Sequence, residues 1–296
     1  MLSVEDYRRF FADEIRFVAN LESQALVEAF AHVPREQFIG PGPWRVGSPE
    51  LRALAAAGMG EAVYVTVDDP RHLYHNVVVA LDATADINNG QPSALARWIT
   101  ALDLKPGARV YHLGCGVGYY TAIIAEVVGP GGYVVASEVN SDLAASARKN
   151  LSAYANVQVH SADGAEMDPG ECDAMLINAG VTHPHSLWLD RLREGGRLVL
   201  PITTATSPTL GAGLMIKIVR RRGDFSATGI TPVGIYSCTG KLRNAELEPI
   251  LRKALATQAL LKVKALRREP HEEEETCLVH GADTCLSSAE ATSAES

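Results

Sequence analysis

One segment restricts the fold more than any other: VYHLGCGVGYYTAIIAEVVG, residues 110–129. A short apolar run ends at Leu113, glycines follow at 114, 116 and 118, and a helix-compatible stretch begins at Tyr119. Glycines between a strand and a helix let the backbone turn sharply and approach a ligand closely. The helix start adds unpaired N–H groups and the positive end of a dipole. In open α/β sheets, ligands sit at the carboxyl ends of the strands, beside such a turn.

The sequence after this turn alternates. ARVYHL (108–113), GYVVAS (132–137), VQVH (157–160), CDAMLIN (172–178) and GRLVLP (196–201) read as strands. Tyr119–Val128, Asp142–Leu151 and a stretch near His185–Arg193 read as helices between them. Such alternation implies right-handed crossovers and a mostly parallel sheet covered on both faces. Leu214–Val219 and Pro232–Tyr236 add late, partly antiparallel strands, giving an expected seven-stranded sheet in an α/β Rossmann-like unit over 92–240. Pro92 suits the first turn of a helix running to Leu102. Before it, residues 1–91 divide into helices up to about Phe38, where Tyr7, Phe10, Phe11, Ile15 and Val18 recur at helical spacing, and an irregular stretch with a β-like run at Asn76–Leu81. Arg243–Arg268 reads as a long basic helix within 241–268. Residues 269–296, with four consecutive glutamates and a Ser/Ala/Glu finish, read as a disordered acidic tail.

The spacing of the turn discriminates among ligands. A dinucleotide site needs G-x-G-x-x-G, whereas here Tyr119 stands where the third glycine should be. A phosphate-binding P-loop is excluded because no Gly-Lys-Ser/Thr follows. Glu138 falls at the end of the next strand, where an acid can accept both ribose hydroxyls of a nucleoside. Asp163 follows the third strand, where an acid can accept from an adenine amino group. A glycine turn, a ribose acid and an adenine acid in successive βα loops describe a site for S-adenosylmethionine. The expected contacts are His112, Gly114, Cys115, Gly116, Gly118, Tyr119, Glu138, Val139, Asp163, Gly164 and Asn178.

Charge and cysteine content narrow the partners. The formal net charge is -8, which argues against sequence-independent binding to nucleic acid. No stretch approaches the ~20 apolar residues that span a bilayer, and the N-terminal residues lack the apolar stretch of a signal peptide. Five scattered cysteines make no disulfide framework and fit a reducing, cytoplasmic setting. Neither C-x-x-C nor H-E-x-x-H occurs, and no metal is expected.

Over roughly Glu22–Thr239 the chain resembles the protein-L-isoaspartate O-methyltransferase family of class I methyltransferases. VPREQF (33–38), LKPGARVYHLGCGVGYYTAIIAEVVG, SEVNSDLAASARKNL (137–151), NVQVHSADG (156–164), CDAMLINAGVTHPHSLWLDRLREGGRLVLPI (172–202) and ITPVGIYS (230–237) carry the likeness. The resemblance implies methyl transfer from S-adenosylmethionine to the free carboxylate of an isoaspartyl residue in a protein or peptide. It also implies that NNGQP (88–92) forms the acceptor site.

This segment departs from the family. Asn88 takes the place of a threonine and Gly90 that of a serine whose hydroxyl helps hold the substrate carboxylate. Asn88, Asn89 and Gln91 can still donate amide hydrogen bonds, and Gly90 N–H is expected to be accessible. The same residues also suit a plain Asx-type turn before the helix. His112 replaces an acid that orients the methionine end of the cofactor, and GIYSCTG replaces a more apolar strand end. Arg71, His72, Tyr74 and His75 are candidates for an altered cleft, and His183 and His185 lie past the fourth strand, near the expected acceptor. Two other readings stay open: a methyltransferase acting on a different acceptor, and a weakly catalytic cofactor-binding adaptor. The oligomeric state is not legible.

Overall fold

The first helix is defined at both ends by its own sequence. The Ser3 hydroxyl accepts from Asp6 N–H while the Asp6 carboxylate accepts from Ser3 N–H, and Asn20 closes the far end in the left-handed region. The computed structural model describes residues 2–56, 58–60, 64–82 and 87–291. Helices α1 (Val4–Ala19), α2 (Gln24–His32) and α3 (Arg35–Phe38) come first. Strand β1 (Trp44–Gly47), helix α4 (Pro49–Ala56), and strands β2 (Tyr64–Val67), β3 (Val78–Asp82) and β4 (Ile87–Asn88) follow. The four strands form a small antiparallel sheet in the order β2-β1-β3-β4. The N-terminal region is therefore not only helical. The β-like run expected at Asn76–Leu81 is β3, whereas β1, β2 and β4 escape a periodicity reading because each presents too few residues to show alternation.

After α5 (Pro92–Ala101) come β5 (Arg109–Leu113), α6 (Tyr119–Val128), β6 (Tyr133–Glu138), α7 (Ser141–Asn150), β7 (Val157–Ser161), β8 (Cys172–Ile177), α8 (Ser186–Arg191), β9 (Leu192–Ala205), β10 (Leu210–Arg221) and β11 (Asp224–Tyr236). Strands β7, β6, β5, β8 and β9 lie side by side in parallel, and β9, β10 and β11 form an antiparallel meander. The chain runs outward from β5 through β6 to β7, then restarts on the other side at β8. The crevice between β5 and β8 is the topological switch point, where ligands of such sheets bind. Each sheet face has its own core. Phe11, Phe30, Ile99, Ile123 and Val134 lie on the face covered by α1, α2, α5 and α6, so the N-terminal helices share one core with the helix that follows the glycine turn. Met175, Trp188, Leu198, Leu251 and Leu266 fill the other face.

The C-terminal region departs from expectation. The helix α9 spans only Leu247–Ala256, with Leu247, Leu251 and Ala254 buried, and the chain turns out of it through Gln258 at φ +57°. Strand β12 (Ala265–Arg267) lies inside the stretch expected to be helical. Strands β13 (Cys277–His280) and β14 (Cys285–Ser287) lie inside the expected tail. Together they extend the expected seven strands to a sheet of ten, in the order β13-β14-β12-β11-β10-β9-β8-β5-β6-β7. The physical reason is local: Leu266, Val279 and Leu286 are buried against the second core, which outweighs the acidic average of the segment. β12 pairs with β11 only at Phe225 and Ser226, leaving the rest of that 13-residue strand without a β12 partner. Residues 292–296 of the expected tail lie outside the described residues.

Candidate active site

The glycine turn is closed by its neighbours. Gly114 N–H and Cys115 N–H both donate to the Ser137 carbonyl, at 2.8 and 3.2 Å, across the tips of β5 and β6. Gly114, Gly116 and Gly118 adopt φ of +73°, +55° and +92°, which L side chains rarely tolerate. A Cβ on Gly118 would meet Leu151 at 2.7 Å, whereas one on Gly116 would meet nothing within 4 Å. Gly118 is thus required by packing as well as by backbone conformation, and Gly116 faces open space.

Glu138 and Asn178 reach this loop from either side of the switch point. Glu138, 8% exposed, accepts from Gly116 N–H at 2.9 Å through one carboxylate oxygen and from Asn140 N–H at 3.0 Å through the other. A carboxylate oxygen has two acceptor sites, so each still has one for a ribose hydroxyl. The Asn178 side-chain amide donates to the Gly114 carbonyl at 3.3 Å, and its backbone N–H donates to Leu113. Asp163 accepts from Ala165 N–H through one carboxylate oxygen. The Cys238 thiol is pushed up to about 12, first by burial and then by the negative charges of Asp163 and Glu138. Val139, 67% exposed, offers an apolar surface next to Glu138.

The other expected contacts sort differently. Cys115 is buried, and Tyr119 is packed among Phe30, Phe38 and Tyr120. Of these two residues, the backbone is what the site can use, because both side chains are buried in the protein core, Cys115 from the glycine turn and Tyr119 from the first turn of α6. Gly164 has no room for a side chain, since a Cβ would lie 2.1 Å from Leu113, and its carbonyl accepts from the Trp188 indole. His112 is fully buried, and burial alone pushes its imidazole down to about 4. Nδ1 lies 2.9 Å from the Thr121 hydroxyl, while buried Nε2 has no partner. An orphaned polar atom two residues before the first glycine, and open space over Gly116, are what a cofactor with a polar amino-acid end would satisfy.

The 88–91 segment corrects one expectation. Gly90 N–H is not accessible: it donates to the Asn88 side-chain carbonyl at 2.9 Å, an Asx turn. Asn89 is buried, and its side-chain carbonyl accepts from Val79 N–H at 2.9 Å and from Arg35 at 3.2 Å. Asn89 thus braces the loop from behind, because its side chain points into the protein. Gln91 donates to the Ser93 hydroxyl. Gly90 itself sits at φ +77°, and a Cβ there would lie 2.9 Å from Leu95.

Two residues escaped the sequence reading. Tyr120, on α6, donates from its phenol to the Gly90 carbonyl at 3.1 Å and so ties the glycine turn's helix to the 88–91 segment. Fully buried Arg35, from VPREQF, donates to the carbonyls of Leu73, His75 and Val77 and to Asn89. Its guanidinium also lies over the rings of Phe11 and Tyr119. A lone arginine beside an apolar segment was the available signal. The 71–75 cluster does not act together: Arg71 pairs with Asp69, and Tyr74 is buried, bonded to Glu36 and Arg8. His185 caps α8 by accepting from Leu187 N–H.

Taken together, the parallel sheet, the switch-point glycine turn and the ordered acids define a class I, S-adenosylmethionine-dependent methyltransferase. Comparison with known proteins is more specific. Residues 53–224 match the family Protein-L-isoaspartate(D-aspartate) O-methyltransferase (PCMT), and the chain belongs to it. It is 34% identical over 253 residues to a protein-L-isoaspartate O-methyltransferase of Hyperthermus butylicus, covering 81% of this chain and 92% of that one. It is 35% identical over 163 residues to protein-L-isoaspartate O-methyltransferase 1 of Archaeoglobus fulgidus, covering 50% and 74%. Its fold matches a solved Plasmodium falciparum protein described as a putative member of the family in complex with S-adenosyl-L-homocysteine. That match has a TM-score of 0.56 at 16% identity, covering 78% of this chain and 98% of that one. Among the described residues no helix is long and apolar enough to cross a membrane.

Proposed function

We propose that the chain methylates an isoaspartyl-type carboxylate on a protein or peptide, in a cleft bounded by Gly116, Glu138, Asp163 and the 88–91 segment, with residues 92–240 as the cofactor-binding unit. The observation that carries this reading is the Gly116–Glu138 hydrogen bond at the switch point, beside open space. Glu138 holds the ribose hydroxyls, Asp163 accepts from the adenine amino group, and Val139 lies against the ring. His112 Nε2 meets the polar end of the methionine moiety, while Gly114, Gly118 and Asn178 fix the loop. S-adenosylmethionine supplies an electrophilic methyl on a sulfonium. The protein's part is alignment, because an acceptor carboxylate with a pKa of about 4 is already ionised and needs no general base.

With Gly90 N–H engaged, the Asn88 amide is the donor best placed to orient that carboxylate, and Tyr120 positions the loop that carries it. The changed loop favours an acceptor set narrower than that of a general repair enzyme. The net charge of -8 supports a protein rather than a nucleic-acid partner, and the five free thiols support a cytoplasmic setting. The test is transfer of labelled methyl to an isoaspartyl peptide and to its aspartyl twin. Selective labelling of the first is expected. Equal labelling of both, or of neither while the product S-adenosylhomocysteine still binds, would reject the acceptor assignment.

A further inference from the structure

Away from the active site, β13, β14 and the loop before them bring four side chains together. The ligating atoms of His271, Cys277, His280 and Cys285 all lie within 4.8 Å of one another. They are far apart in spacing (five, two and four residues between successive members), and the fold supplies the convergence. His280 and Cys285 face each other across the β13–β14 pair. Cys277 and His280 are three apart and would lie on opposite faces of a regular strand. A register shift between Cys277 and Val279 turns them to the same side. The loop before β13 then returns His271 to within 3.6 Å of the Cys277 sulfur.

The surroundings suit a metal better than a set of ordinary polar residues. His271 Nδ1 lies 2.8 Å from the Glu269 carbonyl, which fixes that nitrogen as the donor and leaves Nε2 facing the cluster. Orientation of a ligating imidazole by a carbonyl on its other nitrogen is the usual outer-shell arrangement. Glu274 N–H donates to the Cys277 sulfur at 3.3 Å and so fixes its position. His280 Nδ1 is buried without a partner. Cys277 and Cys285 are free thiols, and Cys285 is 1% exposed. Two thiolates and two imidazoles make a closed tetrahedral donor set for Zn²⁺. Bonds of about 2.3 Å to sulfur and about 2.0 Å to nitrogen would require the four atoms to draw in by about 1 Å.

We infer that His271, Cys277, His280 and Cys285 form a structural zinc site that ties β13 and β14 to each other and to the loop that follows β12. The β13–β14 hairpin is short and its ladder is broken by a register shift, and it joins the sheet through β12, which bonds to β11 at only two residue pairs, so a crosslink within the hairpin gives it order that its few ladder bonds do not. A closed four-ligand site leaves no position for substrate, so its role is to hold the fold.

The test is elemental analysis of the full-length chain, purified without an affinity tag under reducing conditions. About one zinc per chain is expected. The Cys277→Ser, Cys285→Ser double variant should retain less than about a tenth of that. Because that variant risks unfolding the hairpin, His271→Asn serves as a milder second probe, with zinc loss on treatment with a strong chelator as its readout. The chain stripped of metal and reloaded with Co²⁺ should show the visible bands of a tetrahedral thiolate site. The inference is overturned by any of three results: isolated chain without zinc that also gives no Co²⁺ bands; zinc content unchanged in both variants; or a disulfide between Cys277 and Cys285 in the freshly isolated protein.

Discussion

Restoring the serine at position 90 is the obvious way to convert this loop to the repair-enzyme pattern, and the structure says it will fail. Gly90 has φ +77°, so an L side chain there costs roughly 1–2 kcal/mol. The new Cβ would lie 2.9 Å from Leu95 Cδ2. Moving that methyl adds about 1 kcal/mol of overpacking. Restricting the unfolded chain returns about 0.4–1 kcal/mol. The net destabilisation is about 1–2.6 kcal/mol, or a drop in Tm of about 2–5 °C for a chain of this size. Gly90→Ala carries the same backbone cost without a hydroxyl, so the pair isolates what the hydroxyl contributes. The assays are thermal melting and methyl transfer to an isoaspartyl peptide. Both variants are expected to melt lower and to lose activity together. A Gly90→Ser protein as stable as the parent, and more active than both the parent and Gly90→Ala, would refute the loop geometry on which this reasoning rests.

Other outcomes follow from the same site. Glu138→Ala removes a buried acceptor of charged hydrogen bonds and should weaken S-adenosylhomocysteine binding by about 1.5–3 kcal/mol in calorimetry. Tyr120→Phe deletes the bond to the Gly90 carbonyl, so kcat/KM for the acceptor peptide should fall while affinity for S-adenosylhomocysteine holds. The depressed His112 imidazole gives a pH signature. Burial holds it at about 4 in the folded chain, below its ordinary 6.5, so the unfolded chain binds the extra proton between these values. Stability from keeping His112 neutral is complete above about 6.5 and is lost as pH falls towards 4, by about 3 kcal/mol in all. Denaturant melts at pH 7 and pH 4.5 should show this slope flattened in His112→Gln.

The parallel half of the fold was legible because its strands and helices each impose their own period and its turns are marked by glycine. Tyr119–Val128 was read to the residue for that reason. Glu138 was legible from strand position alone, and the structure puts it on Gly116 N–H. What stayed hidden depends on contacts distant in sequence. That Gly90 N–H is occupied follows from the Asn88 rotamer, and that Asn89 faces inward follows from Arg35, which is 54 residues away. The C-terminal strands were hidden for another reason. Each is three or four residues long; β12 sits in a basic stretch that reads as helix, and β13 and β14 follow a run of glutamates, so composition outweighed the few buried positions that decide the matter. The register shift that gathers His271, Cys277, His280 and Cys285 leaves no mark in their spacing.

The long outer rim of β11 bears on how the molecule behaves at high concentration. Beyond Phe225 and Ser226 that strand has no β12 partner: Ala227 N–H is taken by the Lys264 carbonyl and the Tyr236 carbonyl by Gly180 N–H, and between them a strand rim of main-chain donors and acceptors would invite a second chain to add on. Pro232 interrupts it with a position that has no donor to offer, and Gly234 adds another with no side chain to interlock. The enzyme can therefore carry an unfinished sheet border that is a poor template for fibre-like stacking.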